Sequence, residues 1–151
     1  MISNREEILA FIEAHYEADF ILCEIAMPKE LDAVLDSVGL SFADTLLSLI
    51  DKRGITDAEA YKRSLVSRKT FSKIRCDRAY RPGRDTALSF CVGLHLSIDE
   101  ATALLSTVGF ALSHSDRRDL VIEYYLTTGK YKDINEVNEM LFELCEETLG
   151  V

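Results

Sequence analysis

The residues best equipped for chemistry lie between Ser67 and Arg84, in the stretch SRKTFSKIRCDRAYRPGR. Ser67 is of the N-cap type, since its hydroxyl can accept from a backbone N–H of a first helical turn. Phe71 and Ile74 are three apart and share one helical face. The opposite face carries Lys69, Ser72, Lys73 and Cys76, with Arg68 and Arg75 at its edge. Arg78, Tyr80, Arg81 and Arg84 follow in a loop. A short helix with two apolar anchors inward and cations outward has the physical form of a nucleic-acid recognition helix. A solvated surface helix would carry the same face, so the rest of the chain must weigh in.

It does so through charge. The 151 residues have a net charge of −9, yet Lys52 to Arg84 holds eleven basic residues and three acidic ones. A basic island in an acidic protein argues for one surface facing a polyanion. Acidic flanks would repel phosphate, which argues against loose binding of nucleic acid all over the surface.

Other chemistry finds little support. His15, His95 and His114 are far apart, and no Cys or acidic partner stands at motif spacing. His15 and His95 sit in helical patterns as packed or edge residues, and His114 lies in a loop between two serines. Cys23, Cys76, Cys91 and Cys145 lack the close pairing of zinc and redox sites. Cys23, Cys91 and Cys145 read as small core residues, and Cys76 as an outward one. Thr127-Thr128-Gly129-Lys130 lacks the preceding glycine and strand of a phosphate-binding loop, so it reads as a helix end with a cationic cap. Glu143, Glu146 and Glu147 read as a solvated face rather than a metal site. The expectation is no enzyme, no metal and no cofactor.

Helices must position the basic stretch. With 48% hydrophobic and 28% charged residues, two prolines and seven glycines, the composition is that of a globular helical protein. The pattern predicts an all-α fold of about nine helices. Ser3 and Glu6 open the first, about 4 to 26; Pro28 starts a second, which stops near Gly39. Ser41 and Asp44 cap a third with Leu46, Leu47, Leu49 and Ile50 inward, ended by Gly54. Thr56 and Glu59 open a fourth with Ala58, Tyr61 and Leu65 on one face, and the basic helix is fifth, about 68 to 77. A sixth follows Pro82 and Gly83, and Ser97 and Glu100 cap a seventh, ended by Gly109. Ser115 opens an eighth, closed by Gly129. Asp133 and Glu136 open a ninth, with Phe142 among its inward residues, ending at Gly150. The expected organisation is an acidic helical extension at 1–40, a central domain at 41–108, and a helical pair at 109–151 packed on it. No apolar run approaches the roughly 18 residues of a membrane span, and the N-terminus has no signal layout. A cytoplasmic protein is expected.

Five helices between Ser41 and Val108 have the loop spacing of the lambda-repressor-like helix-turn-helix domain. Gly54-Ile55-Thr56 resembles that family's entry into its second helix, and Val66-Ser67-Arg68 resembles the start of its recognition helix. Phe71, Ile74 and the run LSFCVGLHLSIDEA of Leu88–Ala101 resemble its tail. The resemblance covers about 65 residues and implies a sequence-specific DNA-binding protein, a small transcriptional regulator. Arg68, Lys69, Ser72 and Lys73 would then face bases in the major groove. Lys62, Arg75, Arg78, Tyr80, Arg81 and Arg84 would meet the backbone of double-stranded DNA. About six phosphate contacts would give a log–log salt slope of roughly −5. Such readers usually bind as two-fold dimers, so a homodimer through 1–40, 109–151 or both is expected.

Four positions depart from the family pattern. Asp57 stands where Gln is frequent, Tyr61 where a small residue is preferred, and Arg75 where an acidic residue pairs within the domain. Leu65 stands where the turn has Gly; because Leu resists positive φ, a turn of different shape is expected. From Tyr61 to Gly150 the chain also resembles a bacterial helical region found alone or appended to macrodomain and other signalling or stress-response enzymes. That likeness implies an alternative: an adaptor that does not bind DNA and meets a protein partner through its acidic helices.

Overall fold

The computed structural model describes residues 5–11, 39–144 and 146–150, and all regular structure among them is helical. Residues 5–11 form a helical segment. Seven further helices follow: α1 (Phe42–Arg53), α2 (Asp57–Arg63), α3 (Arg68–Cys76), α4 (Arg84–Gly93), α5 (Ile98–Ser106), α6 (Arg117–Thr128) and α7 (Ile134–Glu143). The expected Ser3 cap, the first helix beyond residue 11, the second helix, His15, Cys23 and Cys145 lie outside the described residues. None of the described helices is long and apolar enough to cross a membrane.

The polar residues that bracket each helix explain its limits. Ser41, Thr56, Ser67, Ser97 and Asp133 each accept from the backbone N–H three residues on, and Ser97 with Glu100 makes a reciprocal capping box. Gly54 and Gly129 end α1 and α6 in the left-handed conformation. At α6 the cap is Asp116 rather than Ser115, whose amide instead donates to the Ser113 hydroxyl.

α4 is the hub, packed against α2, α5, α6 and α7. Every residue from Ala87 to Gly93 is buried, so this helix has no solvent face in its last two turns. Phe90 lies 6.2 Å from Phe71 and 6.3 Å from Phe42, ring to ring, tying α3 and α1 to the hub. One continuous apolar cluster runs from Ile8 through to Leu149. Ile8 is fully buried, and the Tyr124 hydroxyl donates to Glu7 at 2.7 Å, so segment 5–11 docks on α6. Burial, and then that carboxylate, push the Tyr124 hydroxyl up to about 12.

The turn between α2 and α3 differs from the expectation. Leu65 itself adopts φ of 55°, the left-handed conformation that Gly takes most readily. The Leu65 amide donates to the Lys62 carbonyl and the Val66 amide to the Tyr61 carbonyl, the paired bonds of a Schellman cap. His95 repeats the device after α4, with φ of 52° and amide bonds from His95 to Val92 and from Leu96 to Cys91. Each non-Gly residue so placed costs roughly 1–2 kcal/mol. Two satisfied carbonyls offset that cost, and Leu65 also packs against Gly150.

Three further expectations change. Ala60, not Ala58, is the fully buried alanine of α2. α7 ends at Glu143 instead of Gly150, because the Asn138 side chain both accepts from Leu149 N (2.7 Å) and donates to Leu149 O (2.9 Å). That clamp returns the tail to the body and buries Leu149. Phe142, expected inward, is 77% exposed, while Val137, Met140 and Leu141 fill the core.

Arg53 knots α1 to the turn between α4 and α5. Its guanidinium donates to Leu94 O (2.8 Å) and to Glu100 Oε1 (2.8 Å). This bond to Arg53 holds the Glu100 carboxyl well below the usual range, at about 2. A depressed carboxyl contributes stability that is present above the unfolded value and is lost as pH falls through the folded one. Stability attributable to Glu100, about 3 kcal/mol, is therefore expected to fall away progressively as pH drops from 4.5 through 2. Wild type and Glu100→Gln, compared by thermal unfolding at several pH values, should differ near neutrality and converge at the acid end.

The end of α2 and α4 meet backbone to backbone. A Cβ at Gly93 would lie 2.4 Å from the Ser64 hydroxyl and 2.5 Å from its Cα. Gly93→Ala is expected to cost about 3 kcal/mol by forcing the two backbones apart, read as a lower denaturant midpoint at unchanged slope. The same substitution at Gly83, where a Cβ meets nothing within 4 Å, is the control.

Candidate nucleic-acid interface

α3 is held from inside by two side chains. Phe71 and Ile74 are 4% and 0% exposed, and Phe71 also packs on Tyr61 at 5.6 Å between ring centres. Burying two such side chains contributes about 2 kcal/mol each. Their spacing turns Arg68, Lys69, Ser72, Lys73 and Cys76 outward, all exposed. The four residues expected to face bases thus share one accessible surface.

The eleven cations of the basic island divide into two groups. Six are paired. Lys52 and Arg53 meet Glu100, Arg63 meets Glu59, Arg75 meets Asp57, Arg78 meets Asp44 and Arg84 meets Asp119. Five have no ion-pair partner among the described residues: Lys62, Arg68, Lys69, Lys73 and Arg81. Three of those five lie on the outward face of α3 and a fourth, Arg81, in the loop that follows.

The residues expected on a nucleic-acid backbone are dispersed. Arg75 is 3.0 Å from Asp57, so two departures from the family pattern form a pair joining α3 to the start of α2. Both partners are about half exposed, so the pair is worth no more than about 1 kcal/mol. Arg78 is 81% exposed and 3.4 Å from Asp44. Tyr80 is half-buried against the core. Arg84 begins α4, and its guanidinium donates to Asp119 and to Ala111 O. Asp119 is 1% exposed and also accepts from Ser113 N at 2.8 Å, so Arg84 is fixed as a structural strut. Lys62 lines a cavity shared with His95 and Lys132, at the end of α2.

The charge placement on α3 opposes its own helix. Among the described helices α3 alone has no acidic residue in its first turn, where Arg68 and Lys69 stand instead. Cations at a helix N-terminus cost roughly 0.3–1 kcal/mol each. The Ser67 cap and the two apolar anchors offset this and keep α3 formed.

The two described histidines are each held by a neighbour. His114 Nε2 is 2.7 Å from Glu123, and the His95 ring stacks on Tyr131 at 4.3 Å. Among the described residues no three His, Cys, Asp or Glu side chains gather as a metal site would require. Arg118, which sequence reasoning did not single out, is 9% exposed and donates to Asp85, Glu147 O and Thr148 O. It stands among Asp116, Arg117 and Asp119, a polar stretch in which nothing marked it for burial.

The two described cysteines report on this geometry. Cys91 is fully buried and its thiol is pushed up to about 12 by burial, while Cys76 is exposed on α3. Iodoacetamide at pH 8 is expected to alkylate Cys76 and spare Cys91 in the native protein, read by peptide mass spectrometry. No protein-family model, no curated protein and no solved structure matches this chain.

Proposed function

We propose that this protein is a sequence-specific DNA-binding regulator in which α2, its Leu65 turn and α3 work as a helix-turn-helix. The carrying observation is the outward face of α3, where Arg68, Lys69 and Lys73 stand exposed without acidic partners among the described residues, while six of the island's eleven cations are paired. Arg and Lys there suit guanine O6 and N7, and Ser72 suits any base edge. Arg81 serves the phosphate backbone, and the Arg75, Arg78 and Arg84 pairs brace the reader rather than touch DNA. The left-handed Leu65 supports this reading, because it takes the backbone conformation expected of the Gly at that turn in the family the sequence resembles. The DNA is met in the cytoplasm, and the regulator acts as a dimer on a two-fold site.

A second reading has one observation in its favour. Phe142 is 77% exposed on α7, between the exposed acidic residues Glu139 and Glu143. An aromatic residue within an acidic face suits a protein contact. Under this reading the chain is an adaptor for a signalling or stress-response enzyme.

Fluorescence anisotropy with a random 30-base-pair duplex across a salt series separates the two. On a random duplex, with no specific bases to read, Arg68, Lys69, Lys73 and Arg81 all meet phosphate, which predicts a log–log slope of roughly −4, shallower than the full basic count would give. Lys69→Glu/Lys73→Glu should weaken binding at least tenfold at low salt. No binding by wild type at low salt would sink the DNA reading and leave the adaptor.

A further inference from the structure

A second concentration of positive charge lies away from α3. α2 ends, α4 turns into α5 and α7 begins around one cavity of about 420 Å³. Lys62, Arg63, His95 and Lys132 line it, with Leu65 and Gly93 as its apolar wall. Lys62 and Lys132 have no side-chain ion pair among the described residues, and Arg63 reaches Glu59 only at 3.8 Å. The one carboxylate in the lining, Asp133, is engaged, because its Oδ1 accepts from the Glu136 amide.

The cavity wall is also well set. The His95 ring is fixed from two sides, stacked on Tyr131 at 4.3 Å and bonded through Nε2–H to the Lys132 carbonyl at 3.1 Å. Tyr131 is itself fixed by its hydroxyl, which donates to Val92 O at 2.7 Å. Ile134 and Asn135, the first two residues of α7, complete the lining. The N–H groups of a helix's first turn lack intrahelical partners and carry partial positive charge. Two lysines, an Arg63 held only loosely by Glu59 and a fixed imidazole thus line a space large enough for a small organic anion, beside an α7 start that Asp133 already caps.

We propose that this cavity binds a small phosphate-bearing anion. Lys62, Arg63 and Lys132 outnumber the lining carboxylate Asp133 by two charges, so a diphosphate group fits better than a single carboxylate. Leu65 forms part of the wall and stands three residues before Arg68, so the occupant touches the turn that aims α3. The site stands independently of DNA binding. Phosphate oxygens could also reach it as part of a nucleic-acid backbone, and the test separates that source.

Isothermal titration calorimetry with inorganic pyrophosphate at low salt is the direct measurement. It compares wild type, Lys62→Glu/Lys132→Glu, the neutral pair Lys62→Met/Lys132→Met, and Arg68→Glu/Lys69→Glu on α3. All of these positions are exposed, so the variants should fold as wild type does. Wild type and the α3 variant are expected to bind one pyrophosphate per chain. Both cavity variants are expected to bind about tenfold more weakly or not at all. Absence of binding by wild type, retention by the cavity variants or loss in the α3 variant would overturn the proposal. So would loss of duplex binding by the cavity variants without any pyrophosphate heat from wild type, since the cations would then belong to a backbone footprint. Failure of duplex binding alone leaves pyrophosphate binding intact and counts only against the DNA reading.

Discussion

The backbones of α2 and α4 touch where Ser64 meets Gly93, and the placement of α3 follows from that contact. Any side chain at position 93 would collide with Ser64 Cα and the Arg63 carbonyl. Ser64 is itself fully buried, and its hydroxyl is satisfied by the Ala60 carbonyl at 2.8 Å. With α2 held this close to the hub, the chain must turn sharply to begin α3. Leu65 makes that turn in the left-handed conformation, and Phe71 then fits between Tyr61 and Phe90. Interiors at crystal-like density transmit such constraints, because no slack exists to absorb a shift.

Electrostatics then divides the basic stretch into two roles. Arginines at the periphery meet carboxylates from other helices, as Arg53 does with Glu100, Arg75 with Asp57 and Arg84 with Asp119. These pairs join elements distant in sequence, α1 to α5 and α4 to α6. What is left unpaired on α3 is a compact cationic face on a helix whose own dipole opposes it. A helix that carries this unfavourable charge is kept formed by its Ser67 cap and two apolar anchors, and that exposed charge is what the DNA-binding proposal rests on.

The C-terminal helices are part of the same body. Arg118 holds the 146–150 tail through two carbonyls and reaches Asp85 at the start of α4. Asn138 clamps Leu149 from the other side, and Gly150 then abuts Leu65. The tail therefore buttresses the turn that launches α3.

Much of this was legible in the sequence, for local reasons. The capping residues Ser41, Thr56, Ser67, Ser97 and Asp133 and the terminal glycines Gly54 and Gly129 mark helix ends through hydrogen bonds within four residues. The spacing of Phe71 and Ile74 decides which face of α3 is outward, because helical geometry places residues three apart on one side. The all-α fold and the outward set Arg68, Lys69, Ser72 and Lys73 follow from those rules alone. Other features required the tertiary structure, since they depend on partners far along the chain. Leu65 is left-handed because a Schellman cap and the returning tail hold it there, against its own preference. α7 stops at Glu143 because Asn138 captures Leu149, which no periodicity encodes. Arg84 becomes a strut because Asp119, 35 residues on, is buried beside it. The sequence by itself determined the helices and the cationic face. Only the packed chain decided which cations are left free, because pairing is settled by distance in space and not along the sequence.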